Sequence, residues 1–451
     1  MSVAVRFAPS PTGNLHLGNA RVAVLNWLFA RKRGGTFLLR LDDTDASRSK
    51  QEYSDNLYAD LTWLGLDYDA FARQSDRMAR YQEIQKKLIE SGRLYPCYET
   101  NEELEQKRRI QLARKAPPLY DRSALTATQK NIETWEKEGR RPYWRFKLAE
   151  GLVAWTDLSK GPLSFDICHS VSDPVLIKED GTFLYTLSSV VDDGDFHISH
   201  IIRGEDHVTN TAVQIQIFEE INGGPVDLTF AHLALLSDAE GNPLSKREQS
   251  FSLKNLREGG MEPMAINCFL ASLGSSVAPY ITHDLSELAQ HFDLEKIRGG
   301  ARIDEKALNT MNKKILRRLP FEKAREHYPY SLQAMTPAEW EVVREIVNDV
   351  KDIDVWQNIF HGTLAPQVLP KEDCPYISAV LEWMQHHEVD KETWDCLSAY
   401  VQENLKRSGL RMAGPLRMAL TGQASGPEME RLLPLLGKDR ILARLGAVLP
   451  G

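Results

Sequence analysis

Two short segments, far apart in the chain, carry residues suited to binding a triphosphate. In the first, His16 lies between Gly13 and Gly18. Glycine lets backbone N–H groups approach a phosphate closely, and the start of the helix expected to follow favours negative charge. The second segment, 243–247, follows a run of turn-forming residues and contains Lys246, a positive charge for a departing pyrophosphate. Together the segments predict two sides of one ATP-binding site.

The first segment lies between a predicted strand and a predicted helix. The apolar run 3–7 indicates a strand, and the amphipathic stretch 20–33 indicates a helix. The alternation continues with a strand at 37–41 and helices at 53–64 and 81–91. Such alternation is typical of a parallel sheet with helices on its faces, which binds ligands beyond the carboxyl ends of its strands. His16 and Asp42 both follow predicted strands in this way.

The pattern changes between about residues 96 and 185. A charged helical run at 102–114 is followed by strand-like stretches at 143–148, 175–178 and 183–187. Asp180 and Gly181 are a hairpin-turn signal between the last two stretches. We interpret this region as an insertion that splits the nucleotide-binding fold. The sheet would then be completed by a strand at 198–203, a helix at 210–222 and a strand at 233–237.

After Gly259 and Gly260 the chain is predominantly helical. Predicted helices in this part are 337–350, 376–386, 391–408 and 429–436. The expected fold class is therefore α/β: a Rossmann-like parallel-sheet nucleotide-binding catalytic domain split by an α+β insertion, followed by an all-α C-terminal domain. A chain of 451 residues exceeds what one hydrophobic core usually supports, so several domains are expected.

The composition argues against several classes of protein. A net charge of −8 disfavours binding of nucleic acid by bulk attraction, because neutralising phosphates requires concentrated lysine and arginine. Five scattered cysteines favour reduced thiols, and the sequence shows neither a signal-peptide region nor a membrane-spanning run, so a cytoplasmic protein is expected. Local basic clusters are candidates for an RNA backbone or, more commonly, solvated helix faces. They lie at 107–109, 114–115, 140–141, 313–318 and 407–411.

The residues around His16 and Lys246 resemble a known family. The run 16–19, His-Leu-Gly-Asn, is similar to the His-Ile-Gly-His signature of class I aminoacyl-tRNA synthetases. The run 244–247, Leu-Ser-Lys-Arg, resembles their Lys-Met-Ser-Lys-Ser loop. Further stretches resemble the glutamyl-tRNA synthetase branch in particular: 6–13, 39–45, 203–207, 415–422 and 426–428. The resemblance covers essentially the whole chain.

This resemblance implies a domain organisation. The two halves of the Rossmann-like catalytic domain are expected at 1–95 and 189–250, the second carrying the Leu-Ser-Lys-Arg loop. Between them, 96–188 is the expected acceptor-stem-binding insertion. A helical stem-contact or junction domain is expected at 251–312, and an α-helical anticodon-binding domain at 313–451. The helical end favours the glutamyl over the glutaminyl branch, whose members end in β-barrels.

The resemblance also implies a set of site residues. The expected catalytic residues are His16 and Lys246. The residues expected to bind ATP are His16, Gly18, Asn19, Ser245, Lys246 and Arg247. Those expected to bind glutamate are Arg6, Ser10, Asp42, Tyr185 and Arg203. Arginines at positions 6 and 203 would pair with carboxylates and reject the amide of glutamine, since guanidinium groups only donate hydrogen bonds.

Simpler roles are open for several of these residues. In these simpler roles, His16 would cap a helix without binding a phosphate, Arg6 would pair with Asp43, and Tyr185 would be part of a strand core. Two positions depart from the family pattern and bear on reactivity. An aspartate, Asp42, stands where the family usually has glutamate, and Pro243 replaces the first lysine of the mobile loop, which makes the remaining lysine more important.

Magnesium is expected to accompany ATP as part of the substrate complex, held mainly by phosphates and water. No structural zinc is expected, because Cys97 has no second sulfur nearby, whereas a structural site needs about four ligands. The expected partners are glutamate, ATP and tRNA for glutamate, and tRNA for glutamine is left open as a further partner. The protein is expected to be a monomer without membrane contact. A short glutamyl-queuosine-type paralogue is disfavoured by the helical residues after Gly300. A catalytically idle tRNA-binding paralogue is disfavoured by the retained His16 and Lys246.

Overall fold

The computed structural model describes residues 2–45, 47–225, 227–238, 241–242 and 251–449. The chain forms two compact units, the first comprising Met1–Arg257 with Ile266–Glu305 and the second Glu258–Ala265 with Lys306–Gly451. The described strands are β1 (Ala4–Phe7), β2 (Thr36–Leu41), β3 (Ala70–Arg73), β4 (Leu94–Cys97), β5 (Tyr143–Phe146), β6 (Leu152–Asp157), β7 (Gly161–Asp166), β8 (Val175–Ile177), β9 (His200–Gly204), β10 (Thr229–Leu233), β11 (Leu236–Ser237) and β12 (Ala301–Arg302).

The described α-helices alternate with these strands along the first unit and make up most of the second. They are α1 (Leu17–Lys32), α2 (Gln51–Leu64), α3 (Met78–Glu90), α4 (Asn101–Ala113), α5 (Gln129–Lys137), α6 (Ile167–Ser170), α7 (Tyr185–Asp195), α8 (Val208–Asn222), α9 (Leu253–Glu258), α10 (Pro263–Ser272), α11 (Leu285–His291), α12 (Glu305–Arg318), α13 (Phe321–His327), α14 (Pro337–Val343), α15 (Val350–His361), α16 (Cys374–His386), α17 (Thr393–Leu405), α18 (Leu410–Thr421), α19 (Met429–Leu436) and α20 (Lys438–Ala447).

A parallel sheet forms the centre of the first unit. Strand β1 pairs in parallel with β2, Val5 opposite Phe37, and β2 pairs in parallel with β3. The N–H of Ser199 donates to the carbonyl oxygen of Ala4 at 3.0 Å, which places the start of β9 beside β1. Strand β9 then pairs in parallel with β10. The two halves of the sheet are therefore joined at β1 and β9, although the insertion separates them in sequence.

The insertion contains a small antiparallel sheet of its own. Strand β5 lies between β4 and β8. Its core is formed by Tyr95, Cys97 and Tyr143, all buried. Helix α4 begins at a reciprocal cap, in which Thr100 and Glu103 bind each other's backbone N–H groups. The α+β character expected for this region is thus confirmed.

The strand predicted at 183–187 is wrong. Phe183 makes only an isolated bridge to Ile177, and helix α7 begins at Tyr185. Leu187, Val190 and Val191 are buried along one side of this helix. Their spacing has the 3.6-residue period of a helix, which a short apolar window does not reveal.

Helices α12–α20 build the core of the second unit, where Trp340 and Phe360 are completely buried. The helix predicted at 337–350 ends at Val343 instead. The side chain of Asp349 accepts a hydrogen bond from the N–H of Asp352 and starts α15, so an internal cap divides the predicted helix. Among the described residues, no helix combines the length and apolar character needed to cross a bilayer. The expected α/β class with a helical C-terminal part is confirmed.

Candidate functional site

A pocket of about 590 Å³ lies beyond the carboxyl ends of β1 and β9. It brings together eight of the residues expected at the site: Arg6, Ser10, His16, Gly18, Asn19, Asp42, Tyr185 and Arg203. These residues come from strands, from loops and from the first turns of helices α1 and α7, and they are separated by up to nearly 200 residues of sequence, as expected for a parallel sheet. The remaining expected residues, Ser245, Lys246 and Arg247, together with Pro243, lie outside the described residues.

His16 is the N-cap of helix α1. Its Nδ1 atom accepts hydrogen bonds from the backbone N–H groups of Gly18 and Asn19, at 3.0 and 3.4 Å. A neutral imidazole that accepts at Nδ1 carries its proton on Nε2. The cap therefore leaves the ring proton on Nε2, and His16 lines the pocket, where a donor suits a phosphate oxygen. Capping and phosphate binding are compatible roles for one ring.

Gly18 allows this arrangement because it has no side chain. A Cβ atom at this position would lie 2.7 Å from Cε1 and 2.8 Å from Nδ1 of His16. Both distances are far inside normal van der Waals contact. Any larger residue at position 18 would displace the imidazole ring from the helix terminus.

The chain that follows the Leu-Ser-Lys-Arg loop returns beside the His16 segment. The carbonyl oxygen of Phe251 accepts from the N–H of Leu17 at 3.1 Å, and the N–H of Leu253 donates to the carbonyl of Leu15 at 2.8 Å. His16 itself forms an antiparallel bridge with Ser252. The first described residues after the loop are therefore paired with the segment that carries the imidazole.

A buried ionic network forms the floor of the pocket. The Nε atom of Arg6 donates to Asp193 at 3.2 Å. Arg40 donates to Asp42 at 2.6 Å and to Asp193 at 2.7 Å. The alternative pairing of Arg6 with Asp43 is wrong, because Asp43 instead accepts hydrogen bonds from Ser75. Arg6 thus reaches the pocket with its charge already shared with a carboxylate.

The carboxyl group of Asp42 has a raised pKa. Burial raises its pKa to about 6, against the opposing pull of Arg40, and the nearby Asp192 and Asp193 add to the rise. Both oxygens of Asp42 accept from Arg40, at 2.6 and 3.1 Å. The group can therefore gain or lose its charge near physiological pH, unlike an exposed aspartate.

Arg203 is held in the pocket by neutral groups. Its Nη1 donates to the hydroxyl of Tyr185 at 3.1 Å, and its Nη2 donates to Thr211 at 2.6 Å and to Gln214 at 2.7 Å. No carboxylate pairs with it within the described part of the chain. Burial lowers the pKa of Arg203 because the guanidinium has left water. A buried cation without a counter-ion favours an anionic ligand in the same pocket.

Sequence reasoning missed several residues that shape the site. Arg40 and the aspartates at 192 and 193 form the ionic network at the floor of the pocket. The signal for them in the sequence was the run Asp-Asp-Gly-Asp at 192–195, directly after two valines. Arg21 was also missed, although it follows His16 by little more than one helical turn. It lines the pocket and donates to the carbonyl oxygens of Ala234 and Leu273, and burial lowers its pKa to about 10.

Cys97, in the insertion, is surrounded by hydrogen-bonding side chains. Its Sγ atom lies 3.6 Å from the hydroxyl of Tyr120, which donates to Glu99 at 2.7 Å. Burial raises the pKa of Cys97 to about 12, which keeps the thiol protonated. Nowhere in the described ranges do three or more His, Cys, Asp or Glu residues cluster as metal ligands would.

Comparison with known proteins agrees with this geometry. Residues 2–317 match the model of the family "tRNA synthetases class I (E and Q), catalytic domain", and residues 364–449 match an anticodon binding domain. The chain is 48% identical to a glutamate–tRNA ligase of Azospirillum brasilense over 99% of both chains, and 45% identical to glutamate–tRNA ligase 1 of Maricaulis maris over 98% of both.

A solved structure shares the fold along the whole chain. The crystal structure of a glutamate tRNA ligase from Elizabethkingia meningosepticum, in complex with its amino acid, superimposes with a TM-score of 0.82, at 26% identity and over 99% of both chains. Sequence and structure are thus similar to the same group of enzymes, over both the catalytic and the helical parts. The chain therefore belongs to the glutamate–tRNA ligase family of class I tRNA synthetases.

Proposed function

We propose that this protein activates glutamate with ATP, forming glutamyl-adenylate and pyrophosphate, and then transfers glutamate to the 3′-terminal adenosine of tRNA. The observation that carries the proposal is Arg203, a buried cation without a carboxylate partner among the described residues, in the same pocket as the imidazole of His16. The names of its relatives, which are glutamate–tRNA ligases, support glutamate and tRNA as substrates. The enzyme is accordingly a ligase.

Activation needs alignment and charge neutralisation more than covalent catalysis. The carboxylate of glutamate attacks the α-phosphate of ATP, and the P–O bond to pyrophosphate breaks. The Nε2–H of His16 would donate to a phosphate oxygen, while Nδ1 of the same ring continues to accept from the backbone N–H groups of Gly18 and Asn19. Lys246 would hold the departing pyrophosphate together with the magnesium that enters with ATP. Negative charge that develops during the reaction thus meets donors from two segments of the chain.

Glutamate carries two carboxylates and one ammonium group, so its recognition requires cationic partners for the carboxylates and an anionic partner for the ammonium group. Arg203 and Arg6 would receive the carboxylates, and Ser10 and Tyr185, which line the same pocket, would add hydroxyl groups. Asp42, when ionised, would attract the substrate ammonium. Glutamine would bring an NH₂ donor to guanidinium groups that can only donate, and such a mismatch is costly in a buried site.

ATP–pyrophosphate exchange with the purified protein tests this proposal. We expect glutamate to support exchange and glutamine to support it at least 10³-fold less well. The assay should be run with and without tRNA, followed by charging of purified tRNA isoacceptors. Absence of exchange under both conditions would favour the catalytically idle paralogue and rule out the ligase. Charging of tRNA for glutamine as well would define a broader tRNA specificity.

Changing Gly18 to alanine should lower the exchange rate about a hundredfold, because the new Cβ displaces the ring of His16 from the phosphate site. Steady-state exchange kinetics and a thermal melt measure activity and folding. Gly446→Ala is the matched control, since it lies in helix α20 with nothing within 4 Å of the added Cβ. Equal activity of the two variants would show that the cap geometry has no part in catalysis.

The kcat/KM for glutamate should fall about tenfold between pH 7 and pH 5. Asp42 has a raised pKa of about 6, so the carboxylate present at pH 7 is mostly neutralised at pH 5 and no longer attracts the substrate ammonium. Exchange kinetics across this pH range measure the effect, and Asp42→Asn should give a flat profile. A wild-type profile as flat as that of the variant would exclude Asp42 from substrate binding.

The second unit would serve to recognise the tRNA. Its residues 364–449 match an anticodon binding domain, which supports tRNA as the macromolecular partner. We place the reaction in the cytoplasm, where translation takes place, and expect the enzyme to act as a monomer. The five-part domain division stays a prediction.

A further inference from the structure

A line of buried polar groups lies behind Arg203 and has no part in the steps above. The Nδ1 atom of His232, on β10, lies 2.6 Å from Oδ2 of Asp157, on β6. The Nε2 atom of the same ring lies 2.8 Å from the hydroxyl oxygen of Thr211, on α8. That hydroxyl lies 2.6 Å from Nη2 of Arg203. All four side chains are buried, and the histidine and threonine completely.

The hydrogen bonds determine which atoms carry the protons. Oδ1 of Asp157 accepts from the backbone N–H groups of Ser159, Lys160 and His232, at 3.0, 3.0 and 3.1 Å. Burial alone would raise the pKa of this aspartate, but the bond from His232 and these backbone donors hold it below its usual value. The carboxylate therefore remains ionised and accepts the Nδ1–H of the imidazole.

The imidazole in turn orients the threonine hydroxyl. Burial lowers the pKa of His232, so the ring is neutral with its proton on Nδ1, and Nε2 is an acceptor. The single proton of Thr211 then points to Nε2 at 2.8 Å, in preference to the carbonyl oxygen of His207 at 3.1 Å. A lone pair of the hydroxyl is left facing Arg203. The second acceptor of Nη2, Gln214, is oriented separately by a hydrogen bond to Ser189.

We propose that Asp157, His232 and Thr211 form a positioning relay that holds the guanidinium of Arg203 in the plane needed to receive a substrate carboxylate. The inference rests on the proposed function, because it presupposes that Arg203 binds glutamate. Arginine has many rotamers, and fixing them before binding lowers the entropic cost of recognition. The relay contacts neither ATP nor tRNA in this proposal. It should therefore govern the KM for glutamate alone.

Thr211→Val tests the relay with little change in shape. We expect the KM for glutamate in ATP–pyrophosphate exchange to rise tenfold or more, because a hydrogen bond to a charged group is lost. The KM for ATP should change less than threefold. Thr211→Ser keeps the hydroxyl and should restore the KM for glutamate to within threefold of wild type. An unchanged KM for glutamate in the valine variant, or equal rises in both KM values, would overturn the relay.

A pair of variants at His232 provides an independent test should the valine variant fail to fold. Asparagine places its amide nitrogen near the position of Nδ1, so it keeps the bond to Asp157 and loses Thr211. Glutamine places its amide oxygen near Nε2, so it keeps an acceptor for Thr211. We expect His232→Asn to raise the KM for glutamate about tenfold and His232→Gln to raise it less than threefold. Equal KM values in the two variants would contradict the proposal.

The wild-type enzyme separates this inference from the proposed function. If the wild type shows no glutamate-dependent exchange, the proposed function itself fails. If the wild type is active and the variants retain its KM for glutamate, only the relay is wrong. Thermal melts of every variant show whether a change in KM accompanies a loss of folding.

Discussion

Arg203→Lys should lower kcat/KM for glutamate about a thousandfold while leaving the KM for ATP within threefold. Lysine keeps the positive charge, but it cannot donate to three acceptors and a substrate carboxylate at once. The hydroxyls of Tyr185 and Thr211 and the amide oxygen of Gln214 would lose their partner, and the ligand would lose a planar donor. Breaking a buried, hydrogen-bonded charge pair costs about 2–5 kcal/mol, and the upper part of that range corresponds to this factor.

The measurement is steady-state ATP–pyrophosphate exchange with glutamate and ATP varied separately. Arg33→Lys is the matched control. Arg33 is exposed at the end of α1, and its guanidinium lies over the ring of Phe29. The Arg33→Lys variant should behave as wild type. A loss of less than tenfold for Arg203→Lys would mean that charge alone is sufficient, and a similar rise in both KM values would indicate a disturbed fold.

Lys246→Ala should lower kcat for exchange about a hundredfold or more, with the KM for glutamate within threefold of wild type. The residue lies outside the described part of the chain, and its role follows from the Leu-Ser-Lys-Arg motif. A point charge directed at a departing pyrophosphate stabilises the transition state more than the ground state, so its loss appears in kcat. Pro243 stands where the family has another lysine, so no second lysine of the motif can take over.

Lys86→Ala provides the comparison, since Lys86 is exposed on α3. Single-turnover formation of glutamyl-adenylate would show whether the loss lies in the chemical step or in product release. A fall of less than threefold in both kcat and kcat/KM would remove Lys246 from the mechanism. In that case Arg21, a buried cation on the wall of the same pocket, would become the next candidate for charge neutralisation.

The periodicity of apolar residues predicted the bounds of several helices and strands closely. The helix predicted at 429–436 has the same bounds in the structure, because its apolar residues repeat at the helical period and face one core. Helix α1 starts earlier than the amphipathic stretch suggested, since His16 supplies the cap itself. Residues 185–187 of the strand expected at 183–187 are helical instead, because the buried residues 187, 190 and 191 pack in the tertiary core at helical spacing.

The family, the α/β class and eight residues that meet in one pocket could be predicted from the sequence, because they depend on residue types in short, ordered motifs. The distribution of charge among these residues could not be predicted and becomes visible in the folded chain. Arg40 reaches Asp193 across 153 positions of sequence, and Asp157 reaches His232 across 75. Which cation is paired and which is left for a ligand depends on such distant contacts. In the part of the chain that the structure describes, Arg6 is paired with a carboxylate and Arg203 is not, because helix α7 brings Asp193 to the first, whereas α7 and α8 bring only neutral acceptors to the second.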